Sequence, residues 1–137
     1  MEYTEGVRFD SLGLSPEIMR AIAEKNIAVS TPVQAGCIPP MMDWRDVIAK
    51  APTGTGKTFA YGIPIVEHTD PQDESVQAVI LAPTRELAIQ ITDERRILAA
   101  YKPGVRTVCL YGGAPIGRQI DTLKKHPQIV VATPGRL

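Results

Sequence analysis

The apolar residues of this chain cluster in short runs that end at turn signals. Four such runs cover residues 47–50, 78–82, 107–111 and 129–132. The last three contain uninterrupted apolar stretches such as Val79-Ile80-Leu81, without polar alternation. Continuous runs of this length are typical of strands that are buried on both faces of a parallel sheet.

Helical patterns separate these runs. Residues 84–101 and 115–125 are predicted helices, and the first places Leu87, Ile91 and Leu98 on one side. Its charged residues Glu94, Arg95 and Arg96 are expected to face solvent. Strands alternating with helices predict an α/β fold with a parallel sheet of about four strands flanked by helices.

Two capped helices are predicted before the first strand. Ser15 precedes Pro16 and an early acid, which is the pattern of a helix amino terminus. Thr31 is followed three residues later by Gln34, which fits a capping box. Pro64 lies in a further helix and is expected to kink or end it.

Composition sets broad limits on function. The 137 residues are enough for one domain. Fifteen basic side chains balance 15 acidic ones, so the net charge gives no support for nucleic-acid binding through a generally basic surface. Cys37 and Cys109 fit no metal or redox spacing and are expected to be buried thiols. The sequence contains no apolar stretch long enough to span a membrane, and its amino terminus lacks the pattern of a signal peptide, so a cytoplasmic protein is expected.

The most informative motif follows the first apolar run and precedes a predicted helix. Its residues are Ala51, Pro52, Thr53, Gly54, Thr55, Gly56, Lys57 and Thr58. A strand, a glycine loop and a helix with Gly-Lys-Thr make a phosphate-binding P-loop. Lys57 would reach the β- and γ-phosphates of a nucleoside triphosphate, and Thr58 would ligate Mg²⁺. The alternative is a glycine-rich turn with an incidental lysine.

Polar residues also follow the other three strands, at the edge where ligands bind in open parallel sheets. They are Pro83, Thr84 and Arg85 after the second strand, Gly112 and Gly113 after the third, and Thr133, Pro134, Gly135 and Arg136 after the fourth. Taken singly, each fits a helix cap or a turn. Together they offer amides, hydroxyls and two arginines suited to the phosphates of a nucleic-acid backbone.

These motifs, in this order and spacing, resemble those of the DEAD-box ATP-dependent RNA helicases. The resemblance implies that residues 1–137 are the N-terminal part of a RecA-like ATP-binding domain, with a Q-motif region at 9–34. It also implies that Gln34 recognises adenine and that Phe9 stacks on the base. A capping role for Gln34 and an apolar anchoring role for Phe9 remain open. Where the family has an aromatic residue before this glutamine, the chain has Ile27.

The resemblance also implies which parts are absent from these 137 residues. The Asp-Glu-Ala-Asp motif does not occur in the sequence, and the family's arginine fingers come from a second domain. We therefore expect RNA and ATP binding without turnover by this chain alone, although the family is enzymatic. The family's strand order would leave the first strand unpaired and two sheet edges open, which favours self-association. A kinase or GTPase has no candidate acceptor or guanine elements here, and a non-catalytic binding module is the alternative function.

Overall fold

The computed structural model describes residues 8–25, 27, 29–52, 56–112 and 115–136. They divide into two compact units, one within Met1–His68 with Leu98–Tyr101 and the other within Thr69–Ile97 with Lys102–Leu137. In chain order the elements are a 3₁₀ turn at Phe9–Ser11, then α1 (Pro16–Glu24), α2 (Pro32–Met42), α3 (Lys57–His68), β1 (Ala78–Leu81), α4 (Arg85–Leu98), β2 (Thr107–Leu110), α5 (Ile116–Leu123) and β3 (Ile129–Ala132).

The first unit is helical, and both predicted caps are present. The Ser15 hydroxyl accepts from the backbone N–H of Ile18, and the Ser15 N–H and hydroxyl donate to the Glu67 carboxylate, the former at 3.0 Å. Thr31 and Gln34 form the complete capping box of α2. Because a cap depends on residues three positions apart, the local sequence was sufficient to predict both helix starts.

The helix after the P-loop does not end at its proline. Pro64 lies inside α3, which continues to His68. Of the two outcomes expected at Pro64, a kink or an end, the helix end does not occur. The buried residues Phe59, Ile63 and Val66 share one face of α3 and hold it through this position by tertiary packing.

The second unit contains a parallel three-stranded sheet in the order β1-β3-β2. Ile129 pairs with Ala78 on one side and with Thr107 on the other, so the first residues of the three strands are in register. Every residue of the central strand β3 is buried. Burial on both faces, which was predicted for all three runs, holds only for β3, because Val79 and Leu81 of β1 are half exposed.

The first predicted strand, at residues 47–50, does not form. Residues 45–50 have no regular structure and are exposed, and Ile48 is fully open to solvent, with a residue exposure of 103%. Within the part of the chain that the structure describes, the sheet therefore has three strands and not about four. An apolar run becomes a strand only when a partner accepts its backbone hydrogen bonds, and no described strand pairs with this run.

Two smaller differences concern α4 and the cysteines. Arg95 was expected to face solvent, but it is completely buried. The reason is its position four residues after the buried Ile91, which places both side chains on one helix face. Both cysteines are free thiols. Cys37 is buried, as expected, and its burial raises the pKa of the thiol. Cys109 was also expected to be buried but is only partly so.

Candidate functional site

The Gln34 side chain joins the start of α2 to the P-loop. Its Oε1 accepts from the backbone N–H of Thr31 at 2.9 Å, and its Nε2 donates to the carbonyl oxygen of Gly56 at 3.1 Å. The residue is 3% exposed. Because a buried amide must satisfy both its donor and its acceptor, these two bonds fix the orientation of the side chain.

Gly56 is placed so that no other residue fits easily. Its φ is +81°, and a Cβ built on it would lie 2.3 Å from Nε2 of Gln34. Its carbonyl also accepts the first backbone bond of α3, from the N–H of Ala60 at 3.2 Å. The glycine therefore serves both as the turn into α3 and as a close contact of Gln34.

The amino end of α3 carries the predicted phosphate-binding residues. Lys57 is the first residue of the helix and is exposed, and Thr58 is the second and is partly buried. Free amides and the positive end of the helix dipole favour an anion at this position. Ala51 and Pro52 lie in irregular structure before it, whereas Thr53, Gly54 and Thr55 lie outside the described residues.

This arrangement fits a nucleoside triphosphate with Mg²⁺. Lys57 supplies an exposed cation, and the amino end of α3 supplies backbone N–H groups that have no partner within the helix. Magnesium is usually held by one or two protein groups together with substrate phosphates. The Thr58 hydroxyl is the group of this segment that would serve as such a ligand.

Phe9 is buried, and the cavity that it borders is not lined by Gln34. Its residue exposure is 1%, and it borders a cavity of about 380 Å³ whose lining residues do not include Gln34. The other lining residues are Arg8, Asp10, Met19, Ile22, Ala23 and Ile27. In this structure Phe9 is an apolar anchor against α1, and stacking on a base would require its ring to become accessible.

In the second unit, the ends of β1 and β2 bring cationic and aromatic groups together. Thr84 caps α4 by accepting from the N–H of Leu87 at 3.2 Å. The guanidinium of Arg85 lies 5.9 Å from the centre of the Tyr111 ring, within reach of a cation–π interaction, and pairs with Glu86 at 3.5 Å. Pro83 is exposed beside them.

The turns after β2 and β3 hold the remaining predicted residues. Gly112 is exposed, and a Cβ added there or at Gly135 would meet no atom within 4 Å. Pro134, Gly135 and Arg136 form a turn, closed by the Arg136 N–H donating to the Thr133 carbonyl at 3.1 Å. Gly113 lies outside the described residues.

Gln119 of α5 was not predicted, although it links these two turns. Its Nε2 donates to the carbonyl of Tyr111 at 2.9 Å, and its Oε1 accepts from Nη1 of Arg136 at 3.2 Å. Its residue exposure is 7%. No short motif surrounds it, and its partners lie 8 and 17 residues away, so only the fold reveals the connection.

A cavity of about 360 Å³ opens beside this link. Its lining combines two arginines with an aromatic ring and a free thiol, from the residues Arg85, Cys109, Tyr111, Pro115, Arg118, Gln119 and Thr122. Arg118 was also not predicted. Its exposed guanidinium adds a second cation to the arginine that follows β1.

The folded chain has the features of a P-loop nucleotide-binding protein, with α/β architecture and a Gly-Lys-Thr helix start. The model of the DEAD/DEAH box helicase family matches residues 31–137. The chain belongs to that family.

Among the described residues, none of the helices has the length and apolar character needed to cross a membrane.

Proteins similar in sequence or in structure support the same family assignment. The chain is 51% identical over 129 residues to the DEAD-box ATP-dependent RNA helicase CshA of Geobacillus kaustophilus (strain HTA426), which covers 94% of this chain and 27% of that protein. It is 49% identical over 131 residues to the ATP-dependent RNA helicase CshA of Limosilactobacillus reuteri, covering 96% and 26%. The chain thus spans about a quarter of the length of these relatives.

A crystal structure of a DEAD box protein from the hyperthermophile Methanococcus jannaschii matches with a TM-score of 0.88 at 39% identity, over 94% of this chain and 35% of that one. A hypothetical ATP-dependent RNA helicase from Sulfolobus tokodaii matches with a TM-score of 0.80 at 36% identity, over 90% and 35%. The predicted partial RecA-like α/β fold is confirmed.

Proposed function

We propose that this chain is the ATP-binding and RNA-backbone-binding portion of an ATP-dependent RNA helicase, and that residues 1–137 belong to one RecA-like domain with a Q-motif region at 9–34. The observation that carries the proposal is the Gln34 amide, which is held between the Thr31 N–H and the Gly56 carbonyl. The side chain expected to select adenine thereby touches the glycine that precedes Lys57.

The nucleotide would be held by groups of the first unit. Residues 51–58 would surround the triphosphate, Lys57 would neutralise its β- and γ-phosphates, and Thr58 would ligate Mg²⁺. An amide offers one donor and one acceptor edge to adenine. Nε2 carries two N–H groups and Oε1 has two lone pairs, so Gln34 keeps one donor and one acceptor for adenine while it remains bonded to Gly56 and Thr31.

RNA would be held by groups of the second unit. The proposed contacts lie at the strand ends: Pro83, Thr84 and Arg85, then Gly112 and Gly113, then Thr133, Pro134, Gly135 and Arg136. Amides, hydroxyls and guanidinium groups suit phosphate oxygens, which carry no base identity, so binding should be independent of sequence.

Turnover by these 137 residues alone is not expected. Lys57 and Thr58 bind and neutralise charge, but positioning a water requires the acidic motif that the sequence does not contain. The alternative function, a non-catalytic nucleotide- or RNA-binding module, therefore describes the chain assayed by itself. Strand separation or remodelling of RNA would belong to a longer protein.

Two further properties are proposed. Among the described strands, β1 and β2 each pair only with β3, so their outer edges favour association with a second copy. The two free cysteines support a reducing, cytoplasmic location.

Calorimetric titration with Mg²⁺-ATP tests the nucleotide proposal. We expect saturable binding that Lys57→Ala weakens by at least tenfold, whereas Lys25→Ala, an exposed lysine of the same unit, leaves it unchanged. Phosphate release should stay at the background rate in all three proteins. Equal affinity of the Lys57→Ala variant would contradict the P-loop assignment, and light scattering of the same samples reports self-association.

A further inference from the structure

The Gln119 side chain connects two turns that follow different strands. Tyr111 comes directly after β2, and Arg136 lies in the turn after β3. One amide donates to the backbone of the first turn and accepts from the guanidinium of the second. At 7% exposure, this amide is largely shielded from competing water.

We propose that Gln119 is a positioning residue that makes these two turns present their RNA-backbone contacts as one unit. This inference rests on the proposed RNA-binding function. The bond from Arg136 restricts a long side chain whose free rotation would otherwise be lost on binding a phosphate. The bond to Tyr111 fixes the backbone that leads into Gly112.

The same link shapes the cavity that an RNA phosphate would enter. Gln119 lines it together with Arg85, Arg118 and Tyr111. The amide itself carries no charge and touches two groups of the protein, so its effect on RNA passes through them. Losing it should loosen both turns together, while the strands behind them stay paired.

Two substitutions separate the arms of the link. Gln119→Met keeps the length of the side chain and removes both hydrogen bonds. Gln119→Glu keeps an acceptor for Arg136 but replaces the donor to Tyr111 with an oxygen that repels its carbonyl. Gln90→Met, an exposed glutamine of α4, is the matched control.

The first measurement is hydrogen exchange of the two turns without RNA. In the Met variant we expect faster exchange at 111–112 and 133–136, and in the Glu variant only at 111–112. Unchanged exchange at both turns in Gln119→Met would overturn the inference whether or not the chain binds RNA.

The second measurement is binding of a single-stranded oligouridylate by fluorescence anisotropy at several salt concentrations. Gln119→Met should weaken binding by about tenfold and reduce the salt slope by about 0.7, the value for one phosphate contact on a single strand. Gln119→Glu should retain part of the affinity, and Gln90→Met all of it.

A double-mutant cycle distinguishes positioning from general destabilisation. Arg136→Ala should weaken binding in the wild-type background and add almost nothing in the Gln119→Met background. An equal loss in both backgrounds, at temperatures where all variants are folded, would overturn the inference. A wild-type chain that binds no RNA at any salt concentration would instead overturn the proposed RNA function.

Discussion

Residues 47–50 and 129–132 have similar sequences, but only the second run forms a strand. Each is a short apolar run that is followed in the sequence by threonine, proline and glycine. Ile129 is 0% exposed in the middle strand of the sheet, whereas Ile48 is 103% exposed in a segment without regular structure. β3 has a partner on each side, and no described strand pairs with residues 47–50.

The difference teaches that an apolar run predicts the capacity to form a strand and not the strand itself. Backbone groups must find partners, and packing must cover the side chains, before the pattern has structural effect. The two runs therefore provide matched positions at which the same substitution should have very different consequences.

The largest expected difference comes from replacing one isoleucine in each run. Ile129→Ala should reduce the free energy of unfolding by about 2 to 5 kcal/mol, because it leaves a cavity beside two paired strands. Ile48→Ala should change it by less than about 0.5 kcal/mol, since the side chain contributes little burial. Denaturant unfolding followed by circular dichroism measures both. Comparable losses would show that residues 47–50 pack in solution and would end the contrast.

A second pair compares glycines of the two units. Gly56→Ala should destabilise the chain by about 1 to 3 kcal/mol, because it combines a positive φ with a close approach to Gln34. Gly117→Ala, inside α5 with no atom within 4 Å of the added Cβ, should stabilise it by about 0.5 to 1 kcal/mol. Thermal unfolding of the two variants is the measurement, and a tolerated Gly56→Ala would contradict the described contact with Gln34.

The smallest expected effect concerns alkaline pH and the first unit. The Tyr101 hydroxyl donates to the Glu24 carboxylate, and this bond is the main cause that raises the pKa of the phenol. The folded state therefore retains its proton over a pH range in which the unfolded state loses it. Stability should fall as pH rises from about 10 through the folded pKa, according to proton linkage.

Tyr101→Phe tests this linkage. The variant should lose less stability than the wild type as the pH rises above about 10, as measured by urea midpoints at each pH. The lysines titrate in both proteins, so the difference between the two pH profiles reports on the phenol. Parallel pH profiles would show that the phenol contributes no such dependence. The result also reports on Arg20, whose guanidinium lies 4.1 Å from the centre of the same ring.

The predictable parts of this fold are those that nearby residues determine. Ser15 and Thr31 cap their helices because the partners lie within three positions, and the three paired strands coincide with apolar runs. The burial of Arg95 follows from its spacing to Ile91 on α4, whereas the continuation of α3 through Pro64 depends on packing against residues distant in sequence. No local pattern contains that information.

The candidate site divides in the same way. The positions of Gln34, Gly56 and Lys57 follow from recognisable motifs, and the structure brings the first two into contact. It does not place Gln34 in the cavity beside Phe9. Gln119 could not be found from the sequence, because its function rests on a backbone carbonyl and a guanidinium that only the fold places beside it.

The order β1-β3-β2 has a consequence for synthesis on the ribosome. The strand that both neighbours require is the last of the three to be translated. Among the described strands, β1 and β2 therefore leave the exit tunnel before the strand that pairs with both, and this pairing waits until residues 129–132 have emerged. At about 5 to 20 residues per second, the roughly 50 residues between β1 and β3 correspond to several seconds of delay. During that interval the apolar strands are exposed to chaperones and to other nascent chains.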